Sequence, residues 1–147
     1  MPHFTLQVSP VGPIVTCFFA VSEPRRKAIL AAGGQPPAAF QGLGLIDTGA
    51  SCTSIDPSVI TALNLTPTGR ASVLTPSTGA TLHETDQFDI ALLIPADNLA
   101  PLFVSAMPVI SSELLQAQGF HALIGRDVLQ SCILTYNGSM NLFTLAY

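Results

Sequence analysis

Charged residues are scarce in this chain. Lys, Arg, Asp and Glu make up 10% of its 147 residues, against about 25% in typical soluble domains. Apolar residues make up 48%, enough for a single domain spanning residues 1–147 to bury a proper core. So few charges predict that part of the surface is covered in an oligomer. The net charge of −4 gives no basic surface for nucleic acid, so we expect no nucleic-acid partner.

A long uninterrupted apolar run is also missing. The longest candidate, residues 90–110, is broken by Asp97, Asn98 and three prolines, whereas a membrane-spanning helix needs about 20 predominantly apolar residues. The first residues show no basic region followed by an apolar one, so no secretory signal is visible. We therefore expect no membrane contact and a cytoplasmic location, and we leave open a longer precursor.

Cysteine and histidine are too few and too scattered to predict a metal centre. They show no ligand spacing with one another, and they are Cys17, Cys52, Cys132, His3, His83 and His121. We expect reduced thiols that fill the core, satisfied or surface histidines, no metal and no cofactor. Ser51 and Cys52 have no histidine close in sequence to activate them, which argues against a nucleophilic enzyme.

The chain does contain many short apolar runs, separated by twelve prolines and eleven glycines. This pattern is typical of an all-β domain with small helices. The predicted strands are 4–8, 13–21, 40–46, 82–94, and a hairpin of 133–136 with 141–145 around Asn137-Gly138. The predicted helices are 57–63, begun by Asp56 and Pro57, a helical turn within 112–118, and 126–131.

One short sequence carries recognisable chemistry, Asp47-Thr48-Gly49 at the end of the predicted strand 40–46. Gly49 allows a sharp turn and the close approach of a substrate, and Thr48 supplies a hydroxyl that can hold the turn. The pattern therefore predicts a carboxylate on a tight turn. It occurs once, so a second carboxylate acting beside Asp47 must come from another copy of the chain.

The run 45–51 resembles the active-site loop of aspartic proteases. The run 122–129, Ala-Leu-Ile-Gly-Arg-Asp-Val-Leu, is similar to a segment near the end of retropepsins, the half-sized family that includes the retroviral proteases. The order and spacing of the two runs also fit that family. The resemblance implies a closed β-barrel equivalent to half of a pepsin-type protease, one or two short helices, and an obligate or facultative homodimer.

The resemblance also implies a reaction, with Asp47, Thr48 and Gly49 as the catalytic triplet. Two Asp47 carboxylates across a two-fold axis would share a proton and act as general base and general acid. Thr48 would brace the two loops, while Gly49, Ala50 and Ser51 would contact an extended peptide or protein substrate. Ala50 stands where pepsin-like enzymes commonly carry Ser, so we expect a less acidic pH optimum.

Residues 73–85 take the position of the flap, the hairpin that closes over substrate in this family. The flap contains a single glycine, where retroviral flaps are richer in glycine, and a proline that should stiffen one arm. Its implied substrate-binding residues are Leu74, Thr75, Pro76, Ser77, Thr78 and Gly79.

Gly125, Arg126 and Asp127 are implied to have a structural role. Gly125 would allow close packing beneath the active-site loop, and Arg126 would make a charge pair. Retroviral proteases pair the matching Arg with an acidic residue at the position where this chain has Ser51. The candidate partners of Arg126 are therefore Asp127 and an acid of the second chain.

Two segments depart from a minimal retropepsin. Residues 22–39 form an insertion with three of the five positive charges. We expect a solvated loop there, with or without a helical turn; partner docking and self-cleavage are the alternatives. Residues 132–147 form a C-terminal hairpin that is either the edge of an internal sheet or the dimer interface. As an interface it would supply apolar contacts from Leu142, Phe143, Leu145 and Tyr147.

These observations predict a homodimeric aspartic endopeptidase. The alternative from another class is a dimer of the same fold with little or no turnover, used as a peptide-binding or assembly module. A third hypothesis is a domain that cleaves only its own precursor.

Overall fold

The computed structural model describes residues 1–74, 79–113 and 116–147. In chain order its elements are β1 (His3–Gln7), β2 (Ile14–Val21), α1 (Glu23–Ala31), β3 (Phe40–Ile46), β4 (Ser54–Ile55), α2 (Pro57–Ala62), β5 (Gly69–Val73), β6 (His83–Ala96), β7 (Leu99–Ser111), a 3-10 turn (Gln116–Gln118), β8 (Ala122–Ile124), α3 (Arg126–Leu129), β9 (Ile133–Asn137) and β10 (Leu142–Ala146).

Six of the strands close into a mixed β-barrel. Their order is β2-β3-β8-β4-β7-β6, and β6 pairs back onto β2 to complete the ring. The β3–β8 and β4–β7 pairs are parallel, and the other neighbours in the ring are antiparallel. Strand β5 pairs with β6 outside the ring. The predicted all-β closed barrel is confirmed.

Strands β2 and β6 supply much of the barrel interior. Every second side chain of β2 is buried, because successive side chains of a strand point to opposite faces. The middle of β6 follows the same alternation except at Ala91, which is also buried, where the pairing with β7 shifts register. Burial raises the pKa of the Cys17 thiol to about 12, so this cysteine is a neutral core residue. The buried residues of the two strands are Val15, Cys17, Phe19, Val21, Phe88, Ile90, Ala91, Leu92 and Ile94.

Helix α2 begins where the sequence predicts. The Asp56 carboxylate accepts a hydrogen bond from the Ser58 N–H at 2.9 Å, and a proline occupies the first turn. The helical turn predicted within 112–118 is present at Gln116–Gln118, and residues 114 and 115 lie outside the described residues. In the ranges that the structure describes, no helix is long and apolar enough to cross a membrane.

The insertion at 22–39 differs from the expected loop because α1 occupies half of it. Glu23 and Arg26 form an ion pair at 2.8 Å across the first turn. At the far end, the N–H groups of Gly33 and Gly34 donate to the carbonyls of Leu30 and Ile29, and Gly33 has a φ of +78°. This arrangement is a Schellman C-cap. A capped end therefore completes a helix here, and the described residues contain three α-helices where one or two short helices were expected.

Strand β7 is absent from the sequence-based prediction because prolines interrupt its apolar run. A strand tolerates proline at positions where the backbone N–H would face solvent and would not bond to a neighbouring strand. Strand β7 contacts β4 only through Ile110 and Ser111, so Pro101 and Pro108 lie where it has β6 alone as a neighbour. The apolar pattern of the sequence could not show which edge of β7 lacks a neighbouring strand.

The C-terminal hairpin joins the N-terminal strand in a separate sheet of order β1-β10-β9. Strand β10 lies in the middle, so its Phe143 and Leu145 are buried in the core of their own chain, with 1% and 0% exposure. The expectation that these two side chains supply dimer contacts is therefore wrong. Leu142 and Tyr147 are half-buried, and the Tyr147 hydroxyl donates to the carbonyl of Ala100 at 2.9 Å.

Candidate active site

Asp47 follows β3 at a point where the backbone is held from both sides. Its own N–H donates to the carbonyl of Ile124 on β8 at 3.0 Å, and the N–H of Ile46 donates to the carbonyl of Pro13, next to β2, at 2.9 Å. These contacts belong to the closed barrel. The loop that carries the carboxylate is therefore anchored on a rigid base.

One oxygen of the Asp47 carboxylate is held by the loop itself. Oδ1 accepts hydrogen bonds from the N–H groups of Gly49 at 2.8 Å and Ala50 at 3.3 Å. A Cβ at position 49 would lie 3.1 Å from that oxygen, so glycine lets the N–H approach without displacing the carboxylate. Asp47 is half-buried, while Thr48 and Gly49 are exposed. The loop thus presents a carboxylate with one oxygen fixed by two donors.

The other implied substrate-binding residues fall into two groups. Ala50 and Ser51 continue the loop beside Asp47, and Ser51 is exposed. Leu74 and Gly79 stand at the outer end of the β5–β6 hairpin, whose last residue pair is Val73 opposite His83. The remaining flap residues, Thr75, Pro76, Ser77 and Thr78, lie outside the described residues.

Gly125 packs directly against the backbone that follows the loop. A Cβ there would lie 2.6 Å from the carbonyl carbon of Cys52 and 2.7 Å from its oxygen. The φ of Gly125 is −87°, a value open to any residue. Space, not backbone conformation, therefore requires glycine at this position.

Arg126 contacts the loop that carries Asp47, so of its two expected partners Asp127 is wrong. Its Nη1 donates to the carbonyls of Thr48 at 2.9 Å and Gly49 at 3.2 Å. The carboxylate of Asp127 is turned elsewhere, because it accepts from the N–H and the hydroxyl of Thr53, both at 2.8 Å. The sequence could not show this, since backbone carbonyl acceptors have no residue signature.

Thr53 is a site residue that the sequence analysis missed. It is fully buried, with 0% exposure. Its hydroxyl donates to Asp127 Oδ1 and accepts from the Gly125 N–H at 3.1 Å. One side chain therefore ties the segment after the loop to the start of α3. A threonine between Cys52 and Ser54 carries no distinctive signal for such a role.

Replacing Thr53 by Val is expected to lower the free energy of unfolding by about 2 to 4 kcal/mol, since the shape is kept but one buried and one half-buried group each lose a partner. Those groups are Asp127 Oδ1 and the Gly125 N–H. Urea denaturation measures the change. The exposed Thr66 provides the matched control, and Thr66→Val should change stability by less than about 0.5 kcal/mol. Equal stability of the two variants would contradict the assignment.

Cys52, five residues after Asp47, has the environment of a protonated thiol. Burial raises its pKa, and the nearby charge of Asp127 adds to the effect. A raised pKa opposes the thiolate that a cysteine nucleophile needs. Among residues 1–74, 79–113 and 116–147, no group of three or more His, Cys, Asp or Glu side chains is arranged to hold a metal ion.

His121 is a satisfied histidine next to β8. Its Nδ1 accepts a hydrogen bond from the Leu43 N–H at 3.1 Å, and its ring packs edge-on against Phe40. The imidazole thus extends the pairing of β3 with β8 by one residue, toward the end of β3 farther from Asp47.

The fold is shared with a solved protease structure. A retropepsin-like aspartic protease from Rickettsia conorii matches with a TM-score of 0.53 and 14% sequence identity, over 99% of this chain and 91% of that chain. The chain accordingly has the fold of a retropepsin-like half-domain. No protein-family model and no curated protein sequence matches it.

Proposed function

We propose that this protein is an aspartic endopeptidase that works as a homodimer with one Asp47 from each subunit. The observation that carries the proposal is the loop geometry, a half-buried Asp47 whose Oδ1 accepts two backbone N–H groups at the end of a barrel strand. Within the described residues, Oδ1 is the atom of this side chain that accepts hydrogen bonds. Oδ2 is therefore left for water or for the second carboxylate.

The chemistry needs both carboxylates and one proton between them. The unprotonated Asp47 takes a proton from water as the water oxygen bonds to the peptide carbon, and the protonated one donates to the carbonyl oxygen. As the tetrahedral intermediate collapses, the Asp47 that took the water proton donates it to the nitrogen and the C–N bond breaks, while the other Asp47 takes a hydroxyl proton from the intermediate, which restores the starting pair. Aspartic proteases are the standard example of two carboxylates that share a proton because both cannot ionise easily side by side. The pair titrates as a unit, which gives a bell-shaped dependence of activity on pH.

The proposed substrate is an extended peptide segment. Gly49, Ala50 and Ser51 would offer backbone groups on one side, and the hairpin 73–85 would cover the other side as a flap. Main-chain hydrogen bonds to an extended chain give affinity, and side-chain pockets give specificity. The β5–β6 pairing supplies the two arms that such a flap requires.

The proposed dimer interface is the C-terminal hairpin, offered through its outer strand β9. Residues 132–147 contain no charged side chain, whereas unpaired edge strands in soluble proteins are commonly protected by charges. Ile133 and Tyr136 on β9 are 57% and 58% exposed. A second copy pairing along this edge would cover both, and it would supply the second Asp47 that the site needs.

Digestion of a diverse peptide mixture at pH 4 to 7, read by mass spectrometry, tests the proposal. We expect cleavage whose specific activity rises with protein concentration in step with dimer formation measured by sedimentation. A statine-type transition-state mimic should also raise the melting temperature of the dimer, because a catalytic dyad binds such mimics more tightly than substrate.

A double variant, Ile133→Lys with Tyr136→Lys, should remain folded but become monomeric and inactive at concentrations where the unmodified protein cleaves peptides. Leu99→Lys is the control, since Leu99 is also exposed but lies at the β6–β7 turn. A stable dimer that cleaves no peptide would overturn the protease proposal in favour of the peptide-binding module. Cleavage by a monomeric variant would overturn the shared dyad.

A further inference from the structure

We propose that Arg126 is a positioning residue that orients the Asp47 carboxylate through two peptide groups of the active-site loop. The inference rests on the proposed function, and it adds a role that the resemblance to retroviral proteases does not imply. In this chain Ser51 replaces the acidic partner expected for Arg126. The guanidinium instead reaches the loop backbone.

Arg126 and Asp47 bind the same two peptide groups, Arg126 at the carbonyls and Asp47 at the N–H groups. In the Thr48–Gly49 peptide, the carbonyl accepts from Arg126 Nη1 at 2.9 Å and the N–H donates to Asp47 Oδ1 at 2.8 Å. In the Gly49–Ala50 peptide, the carbonyl accepts from the same nitrogen at 3.2 Å and the N–H donates to the same oxygen at 3.3 Å. One cationic nitrogen and one carboxylate oxygen therefore bracket both peptides.

The charge of the guanidinium orients both peptide groups. The carbonyl and the N–H of a trans peptide point to opposite sides, so a cation that holds the carbonyl turns the N–H away from itself. Each peptide has a dipole of about 3.5 D, and here both dipoles place their positive ends at Asp47. Hydrogen bonds linked in series polarise one another, and this series begins at a cationic guanidinium.

The position of Arg126 is itself fixed. Its backbone N–H donates to the carbonyl of Ala50 at 2.9 Å, so the loop is held at a third point. Gly125 before it contacts the Cys52 backbone, and Asp127 after it is bound by Thr53. The guanidinium thus holds the two peptide groups, and through them Asp47 Oδ1, at a fixed place relative to α3. With Oδ1 held, the plane of the carboxylate is set, and so is the direction in which Oδ2 faces water or the second carboxylate.

The test compares Arg126→Gln, Arg126→Lys and the control Arg25→Gln on the exposed side of α1. Loss of positioning should lower kcat about 10- to 100-fold in Arg126→Gln with KM within about twofold. Loss of the charge should also move the acidic limb of the kcat/KM profile to higher pH, because a nearby cation favours the ionised carboxylate. Arg126→Lys should restore the acidic limb while kcat stays low, because an ammonium keeps the charge but lacks the planar fork. Arg25→Gln should match the unmodified protein.

A second readout separates this inference from the proposed function, because it needs no activity. In a ¹⁵N-labelled sample, the amide protons of Gly49 and Ala50 should shift downfield as the Asp47 carboxylate ionises, and this response should shrink in Arg126→Gln. An unchanged amide response together with an unchanged acidic limb would overturn the inference, even in an active protease. An amide response that depends on Arg126 in a protein that cleaves no peptide would support the inference and overturn the proposed function alone.

Discussion

Replacing Asp47 by Asn is expected to abolish peptide cleavage and to leave the fold intact. The amide oxygen of Asn can still accept from the N–H groups of Gly49 and Ala50, so the loop contacts survive. An amide cannot take a proton from water, however, and general acid–base catalysis by a positioned side chain contributes about 10²- to 10⁴-fold to the rate. We expect kcat/KM to fall by at least that factor, measured on the best substrate found in the peptide mixture.

Asp97→Asn is the matched control, because Asp97 is an exposed acid at the β6–β7 turn. It should keep full activity. Circular dichroism and urea denaturation should show that both variants fold. Cleavage by Asp47→Asn at the unmodified rate would mean that the activity belongs to another site or to a contaminant.

Mixing the two forms of the subunit tests whether the dyad is shared. When unmodified protein is re-equilibrated with an equal amount of Asp47→Asn, random pairing places half of its subunits in hybrid dimers that contain a single ionisable carboxylate. Activity should then fall to about half in a symmetric dimer with one site. Activity that is unaffected by the inactive partner would indicate that each chain works alone.

The second large effect is expected from Gly125→Ala. The added methyl group would meet the carbonyl carbon of Cys52 at 2.6 Å, its oxygen at 2.7 Å and the Thr53 nitrogen at 3.0 Å. All three are backbone atoms, so no flexible side chain can move aside. Overpacking commonly costs about 1 to 3 kcal/mol and more where the surroundings are rigid, and we expect the upper part of that range. The midpoint of urea denaturation measures the loss.

The Gly125→Ala variant should lose activity even under conditions where it is fully folded, because the added methyl group pushes Cys52 and Thr53 away from α3. The contacts of Arg126 with the loop carbonyls depend on that spacing. Gly69→Ala is the control, since a Cβ there meets only the Gln87 amide at 3.7 Å. It should be neutral or slightly stabilising. A Gly125→Ala variant with unmodified stability would show that the backbone beneath the loop can yield.

Three of the six barrel strands, β2, β3 and β6, could be predicted because the apolar pattern along each one marks it. The alternation on β6 and the Asp56-Pro57 start of α2 are set by neighbours in sequence. Strands β4 and β8 were not predicted because they are two and three residues long, too short for a pattern. Strand β7 and helix α1 were not predicted because they depend on which strand edge is free and on a cap formed by two glycines. The same limit applies to the site. Asp47 is visible in the sequence, whereas the bonds of Thr53 and Arg126 join residues more than seventy positions apart.

The pairing of β1 with β10 has a consequence for how the molecule folds. His3 lies opposite Ala146, and β10 separates β1 from β9. The barrel likewise joins Ile46 to Ile124. Such non-local pairings place folding among the slower topologies, about milliseconds to seconds. A nascent chain cannot complete this sheet until Leu142–Ala146 has been made. Strand β1 therefore stays without its neighbour in the sheet until then, and low expression temperature or a chaperone should raise the soluble yield.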